Sequence, residues 1–473
     1  MKPKSITPEN TVFVLLSFEG PDRYSLAGGL GVRVTELANS LAEQGYYTHL
    51  FFVGDPFSIG EETRQGGRLI LHRWCQWISQ HHPDGVYQGE ECKLNDFNNS
   101  LPPFLVDHIV RPAAAEGKVV VIMGEEWHTA DTMCRVSDLL YQNGVRDKAL
   151  LLWNANNTMS FDRINWERLS FTSAITTVSR YMKHIMWGLG VNPIVIPNGI
   201  PKKLLDQVDE REVVNFRKGI NSDVVLFKMA RWHPDKCWNQ AVEAVARLKA
   251  LGLRTTFLLR GGIEPYEGEI IHNARQLGLK IQDVTAHSDN IGDQFQALTE
   301  AGSADLVNLK FFVTPEFARV VYAGSDGVLA NSGHEPFGLV GLEAMAAGGI
   351  AFTGSTGEDY AIPMENAIVL ETGDPSEIVG YLTYLQNRQD EREHIRRSAK
   401  RTARQFTWEE VIDNLVSKLE FLARKQGLLA TPTTAEKPSM DDKASHDERV
   451  PHLAWQGDGL AGVADPAAEL VAS

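Results

Sequence analysis

Residues 331–349 read NSGHEPFGLVGLEAMAAGG, and this stretch decides how the rest of the sequence is interpreted. The four residues before it, 327–330 (GVLA), form a short apolar run that is typical of a buried strand. After Gly338, apolar residues recur at helical spacing. The stretch therefore predicts a strand, a short loop and a helix, with Glu335 where the strand ends and Glu343 on the helix.

The two carboxylates of this stretch flank a set of backbone N–H groups. Between Gly338 and Glu343 a helix rises by roughly 8 Å, at about 1.5 Å per residue. Glu335 and Glu343 are thus expected to reach opposite ends of one extended ligand, and the N–H groups of Phe337, Gly338 and Leu339 lie between them. Unpaired N–H groups at a helix start bind anions, and a glycine lets a phosphate approach. A sugar joined to a nucleotide diphosphate fits this arrangement. The alternative is that Glu335 only caps the helix and Glu343 is solvated.

The same stretch resembles the signature of a known enzyme family. Its pattern, H-E-P-F-G-L-x-x-L-E-A-M-A-x-G with seven residues between the glutamates, is similar to that of the GT-B retaining glycosyltransferases of family 4, which are related to the glycogen synthases and include sucrose synthases. The resemblance implies that Glu335 is catalytic. It also implies that His334, Phe337, Gly338, Leu339 and Glu343 bind the donor. It does not indicate which sugar is transferred.

The composition excludes several classes of function. The chain has 473 residues, of which 43% are hydrophobic and 23% charged, enough for two globular domains. A net charge of -15 argues against a partner such as nucleic acid or anionic lipid. We find no transmembrane stretch and no cleavable leader, so we expect a cytoplasmic protein. The four cysteines are widely spaced, and free thiols are expected.

The first half of the chain alternates predicted strands with predicted helices. Residues 11–17 form an apolar run followed by a turn, Gly28-Gly29-Leu30-Gly31, and a helix. Glycines let backbone N–H groups approach a diphosphate, although glycine pairs also occur in ordinary loops. By resemblance to the first loop of GT-B enzymes, Gly28 and Gly29 are expected to bind the donor. Bacterial glycogen synthases carry a lysine shortly before this pair. The chain has none between Phe18 and Gly28, which argues against a glycogen synthase.

Two further segments are candidates for contacts with the acceptor or the sugar. Residues 119–123 predict a buried strand, and side chains at the carboxyl end of a parallel strand face the ligand. EWHTA, which follows, resembles the DWHT segment of glycogen and starch synthases, so Glu125 and His128 are the polar candidates. Alternatively, the side chain of His128 only caps a helix or packs in the core. Residues 68–104 are expected to be irregular in structure. Their aromatic side chains are expected either to line a groove for the acceptor sugar or to pack against the first domain.

The second half repeats the plan of strand, loop and helix. After the predicted strand 224–229, Arg231 and Lys236 match an arginine and a lysine that the family places five residues apart. Two fixed cations suit a diphosphate leaving group, because negative charge accumulates on its oxygens as the glycosidic bond breaks. The sequence has no Asp-x-Asp pair, so we expect neither a metal nor a cofactor. By resemblance, residues 261–263, including Gly262, and residues 307–312 frame the base.

The pattern of elements predicts the α/β class and the GT-B architecture. Two Rossmann-like domains would face each other across a cleft, with the ligand between the carboxyl ends of their strands. We expect the first domain at 1–205, the second at 206–405, a helix at 406–426 that crosses back to the first domain, and a disordered tail at 427–473. The sequence Thr407-Trp408-Glu409-Glu410 predicts a capping box at the start of the crossing helix.

The expected activity is that of a retaining glycosyltransferase. It would move a hexose, glucose or mannose, from a nucleotide diphosphate sugar to the hydroxyl of a sugar, glycan or small molecule. The alternatives are another GT-B enzyme, such as a phosphorylase or a nucleotide-sugar epimerase, and a catalytically silent regulator that binds sugar nucleotides. The sequence indicates neither the base nor the oligomeric state.

Overall fold

Apolar runs form the strands of two separate sheets in the computed structural model, which describes residues 2–430. The first sheet has eight strands in the order β3-β4-β2-β1-β5-β6-β7-β8, and only β3 is antiparallel to its neighbour. Its strands are Thr11–Leu16 (β1), Tyr47–Val53 (β2), Glu61–Arg64 (β3), Leu69–Trp74 (β4), Val119–Glu125 (β5), Ala149–Ala155 (β6), Ala174–Thr177 (β7) and Ile194–Val195 (β8). All six residues of β1 are buried, as expected for a parallel strand covered on both faces.

The second sheet has seven parallel strands in the order β11-β12-β10-β9-β13-β14-β15. They are Val224–Met229 (β9), Thr255–Arg260 (β10), Ile281–Val284 (β11), Leu306–Leu309 (β12), Gly327–Ala330 (β13), Ala351–Thr353 (β14) and Ile368–Val369 (β15). Because β9 lies between β10 and β13, the loops after these three strands end at one edge of the sheet. The expected α/β class with two Rossmann-like sheets is confirmed.

Helices cover both sheets. Those of the first half are Gly29–Glu43 (α1), Gln76–Ser79 (α2), Glu90–Phe104 (α3), Arg111–Ala115 (α4), Ala130–Gln142 (α5), Trp166–Thr172 (α6) and Arg180–Trp187 (α7). Those of the second half are Glu210–Ile220 (α8), Trp238–Ala250 (α9), Tyr266–Gln276 (α10), Ile291–Glu300 (α11), Pro315–Gly324 (α12), Leu339–Ala346 (α13), Pro375–Gln386 (α14), Gln389–Ala403 (α15) and Trp408–Gln426 (α16). Each helix within residues 2–430 is too short or too polar to span a bilayer.

The last helix, α16, packs on the first sheet. Its buried apolar face joins the core formed by β1 and α1, including Phe13 and Leu37. At its start, the N–H of Trp408 donates to the carbonyl of Ile200 at 3.1 Å. The indole of Trp408 also covers Gly199, where a Cβ would lie 2.4 Å from the ring. The chain therefore returns to the first sheet where Trp408 packs on Gly199, and this close contact requires a residue without a side chain at position 199.

Three expectations need correction. Residues 68–104 are largely regular, because they contain β4, α2 and α3. The capping box is absent, since the hydroxyl of Thr407 lies 3.5 Å from the carbonyl of Arg404 and caps no N–H of α16. The tail begins later than Gly427, because Leu428 and Leu429 are buried in the core of the first sheet. The disorder expected beyond them, at 431–473, lies outside the described residues.

Candidate active site

The strongest candidate site lies where the loops after β9 and β13 meet. The two strands are neighbours, so their loops leave the same edge of the sheet. Lys236 Nζ lies 2.6 Å from Glu335 Oε2 and 3.3 Å from Ser332 Oγ. Both charged side chains are mostly buried but reach the surface, with 17% and 21% exposed. The structure thus joins Lys236 to Glu335, two residues predicted to be catalytic.

Arg231 stands in the same loop as Lys236 but differs in its contacts. The carbonyl of Arg231 accepts a hydrogen bond from the indole N–H of Trp238 at 2.9 Å, which fixes the backbone. The side chain of Arg231 is exposed, and no residue among 2–430 accepts a hydrogen bond from its guanidinium. The loop therefore presents one cation that is paired and one that is available to an anion.

The turn at Gly338 exposes backbone N–H groups beside this pair. Gly338 has a left-handed conformation with φ of +81°, and a Cβ there would lie 2.8 Å from Glu358 Cγ. The hydroxyl of Tyr360 donates to the carbonyl of Gly338, and the buried ring of Phe337 packs against Tyr360. Within residues 2–430, no acceptor takes the N–H of Phe337 or Gly338. With Leu339 at the first position of α13, the turn has the geometry of an anion site.

Glu343 lines a cavity of about 270 Å³ between the two sheets. Its carboxylate accepts a hydrogen bond from the hydroxyl of Tyr322 at 3.3 Å. Burial raises the pKa of Glu343 to about 7, so the carboxyl changes charge near neutral pH. The walls include Arg33, Asn198 and Trp408 from one side and Phe312, Val313 and Leu339 from the other.

His334 lies on the opposite side of the signature loop. It is exposed, and its Nδ1 lies 3.1 Å from the hydroxyl of Tyr181 on α7. A second contact across the sheets joins the backbone N–H of Arg180 to Asp359 Oδ2 at 2.7 Å. His334 is therefore in contact with a side chain from the first half of the chain, that of Tyr181.

The two segments expected to bind the nucleotide base, at Gly262 and at Phe312, lie in different environments. Gly262 is exposed after β10, and a Cβ there would lie 2.6 Å from the carboxylate of Glu264. Phe312 follows β12, is 63% exposed and contributes to the cavity beside Glu343. The structure brings Phe312 close to Glu343. It does not place Gly262 in the lining of that cavity.

Glu125 is the last residue of β5 and is completely buried. Its carboxylate accepts hydrogen bonds from Arg33 Nε and Nη2 at 3.2 and 3.3 Å. The amides of Asn154 and Asn156 donate to the same carboxylate at 2.9 and 2.8 Å. Arg33 also donates to Asn198 and is itself buried. A direct contact of Glu125 with a sugar would therefore require this buried ion pair to open.

His128 is buried just beyond β5. Its ring stacks on Phe18 with centroids 4.2 Å apart, and its Nε2 lies 2.8 Å from Glu90 Oε1. Burial lowers the pKa of His128 to about 4, so the ring is neutral at neutral pH. Its Nδ1 has no hydrogen-bond partner within residues 2–430.

The glycine turn after β1 is already occupied by a side chain of the protein. Glu19 Oε2 accepts hydrogen bonds from the N–H groups of Gly28 and Gly31 at 2.9 and 3.0 Å. The hydroxyl of Tyr87 donates to Glu19 Oε1 at 2.5 Å. Gly29 has open space where a Cβ would be. The N–H of Gly28 is thus not free for a diphosphate unless Glu19 moves.

Three buried charged residues near these loops were not predicted from the sequence. Lys228 on β9 donates to Asn331 Oδ1 at 2.6 Å and to the carbonyl of Leu329 at 3.0 Å, which holds the signature loop. Burial raises the pKa of Glu358 to about 7 and that of Glu126 to about 8. A lysine inside the apolar run VVLFKM was a usable signal for Lys228. Nothing in the sequence distinguishes Glu358 or Glu126 from solvated glutamates.

The described residues contain no group of three or more His, Cys, Asp or Glu side chains that is arranged to hold a metal ion. Positive charge near Glu335 comes from Lys236, with the N–H groups of the Gly338 turn beside it.

Comparisons with known proteins show what the region around this site is similar to. Residues 210–402 match the family described as glycosyl transferases group 1. A D-inositol 3-phosphate glycosyltransferase of Geodermatophilus obscurus is 24% identical over 443 residues, covering 87% of this chain and 90% of that protein. A protein of the same description from Thermomonospora curvata is 28% identical over 120 residues, covering 25% and 28%.

Solved structures show the same fold at low identity. Sucrose-phosphate synthase from Thermosynechococcus elongatus superposes with a TM-score of 0.62 at 17% identity, covering 88% of this chain and 100% of that one. The catalytic domain of starch synthase IV from Arabidopsis thaliana, bound to ADP and acarbose, gives 0.58 at 16% identity, covering 88% and 99%. Anabaena HepE in complex with UDP-glucose gives 0.56 at 15% identity, covering 87% and 99%.

The fold is that of the GT-B glycosyltransferases. Residues 210–402, which carry Arg231, Lys236, Glu335 and Glu343, match the group 1 glycosyl transferases. The expected enzyme class is confirmed.

Proposed function

We propose that the protein is a retaining hexosyltransferase that moves a hexose from a nucleotide diphosphate sugar to an acceptor hydroxyl without a metal ion. The observation that carries the proposal is the Lys236–Glu335 pair, together with Arg231 in the same loop, whose guanidinium has no partner in the described part of the chain. The Gly338 turn lies against Glu335, since a Cβ on Gly338 would be 3.3 Å from Glu335 Cγ, and Arg231 stands in the same loop as Lys236 at this edge of the second sheet. The structural relatives that hold ADP or UDP-glucose support a donor of this class.

The nucleotide is assigned to the cavity beside Glu343. An ionised carboxylate accepts hydrogen bonds from two hydroxyl groups of a ribose. Phe312 and Val313 supply apolar surface for a base, and Leu339 connects this cavity to the Gly338 turn. The diphosphate then extends from Glu343 toward Lys236, along the N–H groups at the start of α13.

The cations act on the leaving group. As the bond between the anomeric carbon and the diphosphate oxygen breaks, negative charge grows on the diphosphate. Arg231 is available to form charge-assisted hydrogen bonds with it, and Lys236 shares its three N–H donors between Glu335 and the phosphate. Interactions that strengthen as charge develops lower the barrier rather than only improving binding.

Retention follows from attack on the face that the diphosphate leaves, as the family resemblance implies. The acceptor oxygen forms the new bond to the anomeric carbon on that face. Its proton passes to the oxygen of the departing phosphate, so no protein base is needed for this step. Glu335 lies beside Lys236, where its negative charge stabilises the positive charge that develops on the sugar ring and its oxygens accept hydrogen bonds from sugar hydroxyl groups.

Release of nucleotide diphosphate tests the donor side. The protein is incubated with UDP-, ADP- and GDP-linked hexoses, with and without sugar acceptors, in the presence of EDTA. We expect release from one donor class, unaffected by EDTA, and a product with the anomeric configuration of the donor by NMR. Absence of release across all donors contradicts the proposal, and loss of release with EDTA contradicts its metal-free form.

A further inference from the structure

Lys228 lies near the carboxyl end of β9, the central strand of the second sheet. Strands β10 and β13 flank β9, and only 1% of the surface of Lys228 is exposed. Lysine is almost never buried to this extent unless it is paired. Burying an ammonium group costs free energy, so the contacts that offset this cost show what the side chain stabilises.

The first set of contacts holds the start of the loop after β13, residues 331–338, which we call the β13 loop. Lys228 Nζ donates to Asn331 Oδ1 at 2.6 Å and to the carbonyl of Leu329 at 3.0 Å. The side-chain amide of Asn331 donates in turn to Gln240 Oε1 at 2.8 Å. Because Asn331 is buried, both ends of its side chain depend on these protein partners. The β13 loop therefore begins at a point that is fixed to β9.

The second contact of Lys228 leads to the loop after β9, residues 230–237, which we call the β9 loop. Lys228 Nζ lies 5.3 Å from the centre of the Trp238 ring, within the range of a cation–π contact. The indole N–H of Trp238 donates to the carbonyl of Arg231 at 2.9 Å. Because Trp238 is completely buried, the position of its ring fixes the backbone of Arg231 relative to Lys228.

The β9 loop and the β13 loop also touch each other directly. The N–H of Gly333 donates to the carbonyl of Asp235 at 2.7 Å, and Lys236 pairs with Glu335. A displacement of one loop is therefore expected to displace the other.

Protonation of Lys228 does not decide whether its hydrogen bonds form. Burial lowers the pKa of Lys228 to about 7. The titratable groups that act on it are Cys237, Lys236 and Glu335. A neutral amine still has two N–H donors, which match the two oxygen acceptors of Lys228. The anchor of the β13 loop is thus available on both sides of neutral pH.

We propose that Lys228 is a positioning residue that holds the β9 loop and the β13 loop at a fixed distance, so that Arg231 and Glu335 act on the same donor. The inference rests on the proposed function. In this role Lys228 does not touch the donor, and it affects the reaction only through the residues of the two loops. A misplacement of about 1 Å in such residues lowers turnover by as much as about 10²-fold.

Hydrogen exchange of the backbone amides tests this role without an assay of activity. Lys228→Met substitutes an unbranched apolar side chain. Amide exchange in both loops should accelerate by about tenfold or more, because the loops open more readily once Asn331 loses its partner. Leu385→Ala is the matched control, since it weakens the same core near the last residue of α14 and should leave exchange in the loops unchanged. Unchanged exchange of either loop in Lys228→Met overturns the proposal.

A double-mutant cycle tests the same role in turnover. Lys228→Met alone should lower kcat by about tenfold or more. Arg231→Ala should lower kcat by about 10²-fold in the parent but by about tenfold or less in Lys228→Met, because residues that act as a unit are not additive. In Leu385→Ala, the effect of Arg231→Ala should equal that in the parent. An equal effect of Arg231→Ala in the parent and in Lys228→Met overturns the proposal.

Gln240→Leu is the second variant if Lys228→Met does not fold. It keeps Lys228 and removes the other side-chain partner of Asn331. Exchange in the β13 loop should again accelerate, and unchanged exchange there overturns the proposal.

The dependence of kcat on pH separates positioning from a direct effect of charge. The ratio of kcat between the parent and Lys228→Met should be the same below and above the pKa of Lys228, about 7. A loss of turnover above this pH in the parent that is absent from Lys228→Met would show that the charge of Lys228 acts on the donor, and would overturn the positioning role. Failure of the parent to release nucleotide diphosphate contradicts the proposed function alone, because the exchange experiment does not depend on turnover.

Discussion

Lys236 and Glu335 are 99 residues apart in the sequence, yet Lys236 Nζ lies 2.6 Å from Glu335 Oε2. Parallel pairing of β9 with β13 brings their loops to one edge of the sheet. The contact with Glu335 therefore fixes the position of Lys236 before a sugar-nucleotide donor binds. The guanidinium of Arg231, in the same loop, has no hydrogen-bond partner within residues 2–430.

Removal of either cation should strongly lower turnover without unfolding the protein. Arg231→Ala and Lys236→Ala each should lower kcat by about 10²-fold or more, by analogy with lost oxyanion donors. Both side chains reach solvent from a polar loop, so melting temperatures should stay close to the parent value. Arg254→Ala is the control, because Arg254 forms a surface pair with Asp223 before β10. Near-parental turnover at saturating donor in both variants would show that the cations are not part of the site.

Donor binding should depend on the ionisation of Glu343. Burial raises its pKa to about 7, so the carboxylate that accepts ribose hydroxyls forms as the pH rises from 6 to 8. The donor KM should fall over that range. Glu343→Gln should raise the donor KM by about tenfold, the worth of a hydrogen bond to a charged group, and should remove this pH step. The control is the exposed Glu393→Gln. An unchanged pH step in Glu343→Gln would assign it to another group.

Glu125 should behave as a structural residue. Glu125→Gln leaves the buried guanidinium of Arg33 without its countercharge, which should lower the free energy of unfolding by about 3 kcal/mol or more. Urea denaturation measures the change. Asp107→Asn breaks the exposed pair between Asp107 and Arg111 and should cost at most about 0.5 kcal/mol. Equal stability of Glu125→Gln and the parent would contradict the structural role and reopen a role in contacting the sugar.

Two truncations locate the end of the folded part. A chain that ends at Gly427 loses Leu428 and Leu429, which are buried against the first sheet. Burial of a leucine contributes about 1.5–3 kcal/mol, so losing two should lower stability by about 3–6 kcal/mol. A chain that ends at Ala430 keeps both leucines and should match the parent in melting temperature. If the two truncations melt at the same temperature, the contacts of these leucines contribute nothing.

A buried histidine pair should make the protein sensitive to acid. His49 Nδ1 lies 2.9 Å from His72 Nε2, and burial lowers the pKa of His49 to about 3 and that of His72 to about 4. Both stay neutral in the folded state, whereas the unfolded chain binds protons on them near pH 6.5. Their contribution is therefore complete above pH 6.5 and is lost as the pH falls toward 4 and then 3. At pH 5 the loss should be about 2 kcal/mol for each histidine.

Replacement of the pair isolates this effect. His49→Gln combined with His72→Gln should flatten the dependence of melting temperature on pH between 6.5 and 4, even if the packing around Phe51 is weakened. His287→Gln removes an exposed histidine and should leave the dependence unchanged. The same slope in the paired variant and the parent would assign the acid sensitivity to other groups.

The strands and the signature helix were determined by local sequence. The apolar runs at 11–17, 224–229 and 327–330 are each long enough only for a buried strand, and the structure has strands there. Regular spacing and turn-forming glycines are local properties, so the α/β class and the position of Glu335 and Glu343 followed from the sequence alone.

Only the tertiary structure decided which charged groups are free. Glu125 and Glu335 look equivalent in the sequence, each at the end of a strand. Glu125 is neutralised by Arg33, 92 residues away, and Glu335 by a lysine that still reaches the surface. The hydrogen bond between the carboxylate of Glu19 and the N–H of Gly28 also forms only because the loop after β1 folds back on itself. A residue's chemistry depends on its burial and on partners distant in the chain, and no local pattern records these.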